Sequence, residues 1–284
     1  MAEKVWFVTG ASRGFGRIWT EAALARGDKV AATARGVAAL NDLSRKFGGD
    51  VLPLALDVTD PDAVVAAVNE AYRHFGRLDV VLANAGYGLT GAFEETTLDE
   101  VRANFDTNVI GTFSTIKAAL PLLREQRRGH ILAVSSVGGL VTFPLYSIYQ
   151  ATKFAVEGMV QALAQEVAGF GIKVTLIEPG PFMTDFLAPT SLKTATPTPV
   201  YAPIREQLAK MFTADMLGDP NATVDAILKV VDADEPPLHF ILGPFLPLVK
   251  QVYSARIQSW EQWEDASRSA QSTKPLQIFP KAIA

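Results

Sequence analysis

Tyr149 and Lys153 are the two residues whose types and spacing could carry out acid–base chemistry. They open a predicted helix, and a spacing of four residues places both side chains on one face, one turn apart. An ammonium beside a phenol favours the phenolate, so we expect Lys153 to lower a tyrosine pKa that begins at about 10. Tyr149 could then donate a proton to a carbonyl oxygen or accept one from an alcohol. Tyr146 is a rival acid, but the residue four positions after it is Gln150, which has no charge.

A glycine-rich turn follows the apolar run Val5–Val8 and leads into a helical pattern. Gly10 fits a tight turn, while Gly14 and Gly16 let a backbone approach a pyrophosphate and let the helix pack on the strand. The helix N-terminus then presents free N–H groups and a favourable dipole to a phosphate. The turn therefore predicts a dinucleotide site. Its predicted cofactor contacts are Gly10, Ser12, Arg13, Gly14, Phe15 and Gly16.

The segment Gly10–Gly14 also matches the G-x-S-x-G turn of serine hydrolases, with Ser12 as the nucleophile. That chemistry needs a histidine later in the chain. Two of the histidines, His130 and His239, lie inside apolar strand patterns, and the additional Gly16 fits a dinucleotide turn better. The hydrolase interpretation is therefore the weaker of the two.

The end of the second predicted strand indicates which dinucleotide would bind. An NAD-specific site places an acidic residue there to bond the ribose hydroxyls. This chain has Ala34 followed by Arg35, and Arg13 lies in the glycine turn. Two guanidinium groups suit the additional 2′-phosphate of NADP(H). The pattern favours NADP(H) over NAD(H), although two solvated surface arginines would look the same in the sequence.

The spacing of Tyr149 and Lys153 alone also fits an ordinary surface pair, so the surrounding motifs decide how to interpret it. They follow one another from residue 4 to about residue 185 and are Thr9-Gly10-x-x-x-Gly14-x-Gly16, Asp57-Val58, Asn84-Ala85-Gly86, Asn108, Ser136, Tyr149-x-x-x-Lys153, and Pro179-Gly180 with Thr184. In these motifs the sequence resembles the short-chain dehydrogenase/reductase family, in its compact branch of chains of about 250 residues. The stretch after Lys153 is weakly similar to hydroxysteroid and retinol dehydrogenase-like enzymes. One departure is Ala83, where the family often has another asparagine.

The resemblance implies four catalytic residues. Tyr149 would be the general acid when a ketone is reduced, and Lys153 would lower its pKa and bond the nicotinamide ribose. Ser136 would hold the substrate oxygen, while its neighbour Ser135 would be structural. Asn108 would hold a water that links Lys153 to solvent as a proton relay.

The resemblance also implies three further groups of cofactor contacts. Asp57 and Val58 would meet the adenine. Asn84, Ala85 and Gly86 would support the central strand and the cofactor site. Pro179, Gly180 and Thr184 would border the nicotinamide.

Apolar runs alternate with helical patterns along the chain, and these elements must position the motifs. Because the runs are continuous rather than alternating, they predict a parallel sheet that is covered on both faces. We expect an α/β fold: a single Rossmann-type domain over residues 1–284, with a doubly wound parallel sheet of about seven strands and helices on both faces. Within it, residues 182–218 would form the loops and helices of a substrate pocket, with Thr184–Pro203 as a loop. Residues 244–284 would be a C-terminal extension.

Apolar side chains surround the predicted acid. We expect Ser136 and Tyr149 to share a substrate pocket with Phe143, Phe182 and Phe186. Such a pocket suits an apolar ketone or aldehyde and its alcohol, because it offers no carboxylate or phosphate clamp.

Composition excludes several other kinds of site. A net charge of -4 is unsuited to binding nucleic-acid phosphates. The absence of cysteine excludes disulfides, cysteine-ligated metals and a cysteine nucleophile, and no metal site is predicted. No signal peptide and no apolar run of about 18 residues is present, so we expect a cytoplasmic chain without a membrane span. The apolar stretch Leu238–Val249 leaves a peripheral membrane contact open.

The leading hypothesis is an NADPH-dependent oxidoreductase that interconverts an apolar carbonyl compound and its alcohol by hydride transfer. Two alternatives remain open: a non-catalytic NADP(H) sensor on the same fold, and an epimerase or dehydratase that retains its cofactor. The resemblance further implies a homodimer or homotetramer.

Overall fold

The computed structural model describes residues 3–211, 213 and 216–271. Its strands are β1 (Val5–Val8), β2 (Lys29–Ala34), β3 (Val51–Ala55), β4 (Val80–Ala83), β5 (Gly88–Thr90), β6 (Gly129–Val134), β7 (Ile172–Pro179), β8 (Leu192–Thr194) and β9 (His239–Leu242). Seven of them form one parallel sheet in the order β3-β2-β1-β4-β6-β7-β9. The strand order reverses between β1 and β4, which is the switch point where open α/β sheets bind ligands. The predicted doubly wound α/β fold is confirmed.

The helices in the described part of the chain are α1 (Gly14–Ala25), α2 (Asn41–Phe47), α3 (Pro61–Phe75), α4 (Leu98–Phe105), α5 (Gly111–Gln126), α6 (Ser147–Val167), α7 (Ala202–Met211), α8 (Val224–Asp232), α9 (Leu246–Gln262) and α10 (Glu264–Ser269). Local signals set their ends. At the start of α3, Asp60 Oδ1 accepts hydrogen bonds from the backbone N–H groups of Asp62 and Ala63, both at 3.0 Å. A π turn over Asp106–Ile110 joins α4 to α5.

Two hydrophobic cores cover the two faces of the sheet. One contains Val64 of α3, Leu123 of α5 and Val160 of α6, all packed on the strands. The other contains Trp19 of α1 and Ile227 of α8. The central strands β1 and β4 are buried from both sides, so their apolar runs are continuous, as expected for a parallel sheet.

Pro53 lies in β3, which is an edge strand of the sheet. A proline cannot donate a backbone hydrogen bond, and an edge strand tolerates that loss on its outer side. Pro53 is therefore compatible with β3 because this strand lies at the edge of the sheet.

The predicted loop over Thr184–Pro203 contains more structure than expected, and that prediction is wrong. β8 pairs in parallel with β5 in a separate two-stranded sheet, with Gly88 opposite Leu192. Helix α7 begins at Ala202 and extends the ordered structure. A strand of three residues is too short for its periodicity to be visible in the sequence.

The chain divides into two compact units, Met1–Phe245 and Leu246–Ala284. The seven-stranded sheet lies in the first unit, and the described residues of the second form α9 and α10. Residues 272–284 of the predicted extension lie outside the described residues, as do 212, 214 and 215 of the predicted pocket segment. Within the described part, no helix has the length and hydropathy that crossing a bilayer requires.

Candidate active site

The carboxyl ends of β1 and β4 are joined by a network of hydrogen bonds. Thr9 Oγ1 accepts from the backbone N–H groups of Asn84, at 2.9 Å, and Ala85, at 3.1 Å. The Asn84 side-chain amide donates to the carbonyls of Thr9, at 2.9 Å, and Gly10, at 3.3 Å. These bonds fix the glycine turn against the central strand.

Gly16 lies where α1 passes closest to the glycine turn. A Cβ at this position would be 2.3 Å from the Gly10 carbonyl oxygen and 2.5 Å from the Asn84 amide nitrogen. Real Cβ atoms do not approach a backbone oxygen so closely, so only glycine fits. Gly10 itself has φ +70, a conformation that favours glycine.

A cleft of about 870 Å³, here called the strand-end cleft, opens at this edge of the sheet. It brings together nearly all the residues that the sequence predicts for the site. The predicted cofactor residues that line it are Gly10, Ser12, Arg13, Gly14, Phe15, Arg35, Asp57, Val58, Asn84, Ala85, Gly86, Tyr149, Lys153, Pro179, Gly180 and Thr184. The predicted substrate residues that line it are Ser136, Phe143, Tyr149, Phe182 and Phe186. Gly16 and Asn108 do not line the cleft. Gly16 lets α1 pack against the glycine turn, and Asn108 forms hydrogen bonds to Tyr87 in the cleft wall.

Arg13 and Arg35, the two residues on which the prediction of NADP(H) rests, both line the cleft. The Arg13 guanidinium donates to Thr190 Oγ1 at 2.8 Å and to the Thr190 carbonyl at 3.1 Å. Arg35 is exposed at the end of β2. The pKa of Asp57 is lowered, first by the backbone N–H of Thr59 and also by the positive charge of Arg35.

Asp185 is a residue of this site that the sequence did not indicate. Its Oδ2 accepts a hydrogen bond from the backbone N–H of Gly14 at 3.2 Å, at the N-terminus of α1. A helix N-terminus with free N–H groups binds anions, and here the anion is a carboxylate. Together with the bond from Arg13 to Thr190, this contact ties the segment after Thr184 to the glycine turn.

Tyr149 lies on the first turn of α6, with 9% of its surface exposed. The centroid of its ring is 5.6 Å from that of Phe186 and 6.5 Å from that of Tyr146. Burial raises the pKa of the Tyr149 phenol to about 12, and the Ser136 hydroxyl opposes that rise. The phenol therefore holds its proton at neutral pH.

Lys153 lies one turn further along α6, as its spacing predicts. Its ammonium donates to the Val134 carbonyl at 2.9 Å and lies 5.7 Å from the centroid of the Tyr149 ring. Burial lowers the pKa of Lys153 to about 8. The expectation of a lowered phenol pKa is wrong, because burial raises the pKa of Tyr149 and the Lys153 ammonium bonds the Val134 carbonyl rather than the phenol oxygen.

Ser136 lies beside Tyr149. Its hydroxyl accepts from the backbone N–H of Gly138 at 3.0 Å and donates to the Pro179 carbonyl at 3.4 Å. A Cβ on Gly138 would lie 3.4 Å from the Ser136 hydroxyl and 3.8 Å from a ring carbon of Tyr149, so the two side chains border one space. Ser135, the residue before Ser136, is buried.

Asn108 is buried in the π turn and lies behind the cleft wall. Its Oδ1 accepts from the backbone N–H of Tyr87, and its Nδ2 donates to the Tyr87 carbonyl, both at 3.0 Å. Nδ2 also donates to Thr152 Oγ1 at 3.0 Å, and the Asn108 carbonyl accepts from Thr112 Oγ1 at 2.8 Å. These contacts position the loop after β4 against α6.

The five predicted substrate residues line the same cleft but do not form one cluster. Phe186 packs on Tyr149, whereas Phe182 lies edge-on to Phe15 at 5.3 Å. Phe15 in turn stacks on Trp19 at 4.7 Å. Phe186 therefore packs against Tyr149, whereas Phe182 packs toward α1.

Glu95 ties Thr198 and Arg205, in the described part of the pocket segment, to the loop after β5, and neither Glu95 nor Arg205 was predicted. The buried Glu95 carboxylate accepts from the N–H of Ala92 at 2.7 Å and from the N–H and hydroxyl of Thr198 at 2.6 and 2.8 Å. It also pairs with Arg205, which contributes most to lowering the pKa of Glu95 below its usual range. The partners are about a hundred residues apart in the chain, so no local pattern reveals them.

Comparison with known proteins agrees with this geometry. The family model for short chain dehydrogenase matches residues 4–195. Oxidoreductase BOA17 of Botryotinia fuckeliana is 42% identical over 93% of this chain and 99% of its own length. The 3-ketodihydrosphingosine reductase of Bacteroides thetaiotaomicron is 36% identical over 92% of this chain and 94% of its own length.

Solved structures show the same fold. A short-chain dehydrogenase from Streptomyces avermitilis is 37% identical, with a TM-score of 0.88 over 96% of this chain and 100% of its own. ElxO with NADP bound is 25% identical, with a TM-score of 0.70 over 84% of this chain and 96% of its own. A Burkholderia phymatum enzyme in complex with NAD is 26% identical, with a TM-score of 0.75 over 97% of this chain and 98% of its own. This chain belongs to the short-chain dehydrogenase/reductase family and is an oxidoreductase of that family.

Proposed function

We propose that this protein uses NADPH to reduce an apolar ketone or aldehyde to its alcohol, and that it can catalyse the reverse reaction. The observation that carries the proposal is the juxtaposition of Tyr149, Lys153 and Ser136 at the strand-end cleft. A protonated phenol, an ammonium and a hydroxyl at one site supply an acid, a charge and a hydrogen-bond donor for a carbonyl oxygen.

The residues present fit a nicotinamide dinucleotide. Gly16 lets α1 pack tightly against the glycine turn, and at the start of that helix the Gly14 N–H already binds a carboxylate oxygen of Asp185. The turn thus accepts an anion where the dinucleotide phosphates of this family would lie. When bound, the cofactor supplies the hydride.

Tyr149, Ser136 and Lys153 transfer the proton, hold the carbonyl oxygen and stabilise the charge that results. Tyr149, whose pKa is raised to about 12, donates its proton to the carbonyl oxygen as negative charge develops there. Ser136 donates a hydrogen bond to the same oxygen and holds it near the phenol. Lys153, whose pKa is lowered to about 8, keeps a positive charge beside Tyr149 below that pH and stabilises the phenolate that proton transfer leaves.

For the cofactor, we favour NADP(H) over NAD(H). The support is chemical: Arg35 at the end of β2 and Arg13 in the glycine turn line the cleft, and Ala34 stands where an NAD site places an acid. We expect Arg35→Asp to shift the ratio of kcat/KM values from NADPH toward NADH. A wild-type preference for NADH would contradict this assignment.

For the substrate, the aromatic wall supports an apolar carbonyl compound. Phe143 and Phe186 line the cleft with Tyr149, and a relative with 36% identity is named for reducing a 3-keto group. A panel of ketones and aldehydes of increasing chain length, tested with both cofactors for oxidation of the reduced nicotinamide, should show NADPH consumption that rises with apolar length. No consumption with any carbonyl compound would instead favour the non-catalytic sensor, and turnover without net consumption would favour an epimerase or dehydratase.

We also propose a homodimer or homotetramer. Helix α5 exposes Phe113, which has 45% of its surface exposed, and the preceding π turn exposes Ile110 to the same extent. Large apolar side chains on one helical surface suit an interface between copies. Light scattering of the purified chain would give the oligomeric state directly.

A further inference from the structure

Two buried glutamates and a histidine meet on the side of the sheet that faces α6. Glu157 lies on α6, Glu178 lies near the end of β7, and His239 begins β9. His239 pairs with Leu176 across the strands, and Glu178 lies two residues after Leu176, so His239 and Glu178 project from the same face of the sheet. No spacing in the sequence indicates this cluster, because the tertiary fold alone brings the three residues together.

The side-chain atoms of the cluster that could coordinate a metal lie close to one another. His239 Nδ1 lies 2.6 Å from Glu178 Oε1 and 3.6 Å from Glu157 Oε2. One such atom from each of the three residues lies within 4.8 Å of the other two. Tetrahedral zinc, with bonds of about 2.0–2.2 Å to nitrogen and oxygen, needs ligand atoms about 3.3 Å apart, so small side-chain movements would suffice.

The carboxylates lack the partners that buried charges require. The side chains of Glu157 and Glu178 are 4% and 0% exposed. Among the described residues, both oxygens of Glu157 and Oε2 of Glu178 are buried and have no hydrogen-bond partner. Lys153, one turn away on α6, donates its hydrogen bond to the Val134 carbonyl and not to either carboxylate. Burial raises the pKa of each glutamate to about 7, and for Glu157 the Ser135 hydroxyl and the charges of His239 and Lys153 only partly oppose that rise.

We propose that Glu157, Glu178 and His239 bind one divalent first-row transition-metal ion. Two carboxylates would balance its charge, and a neutral imidazole is a ligand that suits zinc better than magnesium or calcium. The imidazole side chain is 43% exposed, so the ion could enter from solvent and keep a water as its remaining ligand.

This site is separate from the strand-end cleft, since none of its three residues lines that cleft. A bound ion would join α6, β7 and β9 behind the catalytic turn of α6. We therefore assign it a structural role, in which the metal stabilises the folded chain.

The test is zinc binding to the full-length chain, freed of any affinity tag, stripped with a chelator and dialysed. The chain has no cysteine and three histidines, so the background from other zinc ligands is low. Titration calorimetry with ZnCl₂ should give one site per chain, and zinc should raise the Tm of unfolding. MgCl₂ should bind far more weakly.

His239→Ala should weaken zinc binding by about 100-fold or more and abolish the rise in Tm, because loss of a ligand exceeds the usual effect of losing a supporting contact. This variant changes a half-exposed side chain and should keep its fold, whereas Glu178→Gln tests the buried half of the site. The matched controls are His74→Asn and Glu166→Gln, which alter an exposed histidine on α3 and an exposed glutamate on α6 and should bind zinc like the wild type. The proposal is overturned if the wild-type chain does not bind zinc, or if His239→Ala binds it as tightly as the controls do.

Discussion

The two walls of the strand-end cleft are built in different ways. On the glycine-turn side, the backbone N–H of Thr9 bonds the Leu82 carbonyl at 3.0 Å, and the Thr9 hydroxyl and Asn84 amide bond backbone groups of the neighbouring strand end. On the other side, residues 182–218 are held by side chains, with Glu95 bonded to Thr198 and Arg205 and Asp185 bonded to the glycine turn.

The difference has a physical consequence. A wall fixed by backbone contacts requires glycine, threonine or asparagine at particular positions. A wall fixed by side-chain ties can change its residues while keeping its fold, which suits a surface that recognises substrate. We therefore expect substitutions on the first wall to affect cofactor binding and stability, and those on the second to affect substrate use.

Among the changes that compare the two walls, Gly16→Ala on the backbone-fixed wall should have the largest effect. The added Cβ would lie 2.3 Å from the Gly10 oxygen, so the turn must shift, at a cost of about 1–3 kcal/mol in the free energy of unfolding. NADPH binding, measured by calorimetry, should be severely weakened. Gly36→Ala is the matched control, because a Cβ there meets nothing within 4 Å. Equal NADPH affinity in the two variants would show that the glycine turn does not shape the cofactor site.

A smaller and different effect is expected for Glu95→Gln on the side-chain-tied wall. Removing the carboxylate charge releases Arg205 and loosens the segment of residues 182–218, so kcat/KM for the carbonyl substrate should fall by about 10-fold through misplacement of the pocket. NADPH affinity should stay near the wild-type value. Glu206→Gln, which alters an exposed residue beside Arg205, serves as the control. If Glu95→Gln weakened NADPH binding and left substrate use intact, the division between the two walls would be wrong.

Asp185→Asn tests the contact that joins the two walls. The Asp185 carboxylate bonds the Gly14 N–H, where it would compete with a cofactor phosphate. Neutralising it should tighten NADPH binding by about 2- to 5-fold, the range expected for one charge at a helix N-terminus. Asp234→Asn, at an exposed position, should leave affinity unchanged. Weaker NADPH binding in Asp185→Asn would mean that the carboxylate supports the cofactor site.

The smallest expected effect is a change with pH. The pKa of Lys153 is lowered to about 8 and that of Tyr149 is raised to about 12, so above pH 8 the ammonium loses its proton while the acid keeps its own. The value of kcat/KM for carbonyl reduction should therefore decline as pH rises through about 8, with NADPH affinity measured in parallel. A profile that stays flat up to about pH 10, near the reference pKa of lysine, would contradict the lowered pKa.

The backbone-fixed wall was predictable from the sequence, because its motifs are contiguous and directly follow apolar strand patterns. Gly10 follows the first predicted strand and Asn84 the fourth, which predicts both at the carboxyl edge of a parallel sheet. The side-chain-tied wall could not be predicted. Its ties, such as Glu95 to Arg205, depend on tertiary packing and leave no periodic trace.

Burial explains the one error about the proposed chemistry. Spacing correctly placed Lys153 one turn after Tyr149, but the pKa of a phenol depends on its desolvation as well as its neighbours. The sequence does not reveal that Tyr149 is covered by Phe186 and Tyr146.

The most direct test of the account is the turnover of Tyr149→Phe, which removes the phenol oxygen and keeps the ring. We predict that kcat for carbonyl reduction falls by about 10²- to 10⁴-fold, the usual contribution of a general acid, while NADPH binding stays within severalfold of the wild type. Tyr146→Phe, on the neighbouring turn, should retain most of its activity. Turnover by Tyr149→Phe at the wild-type rate would contradict the assignment of Tyr149 as the acid.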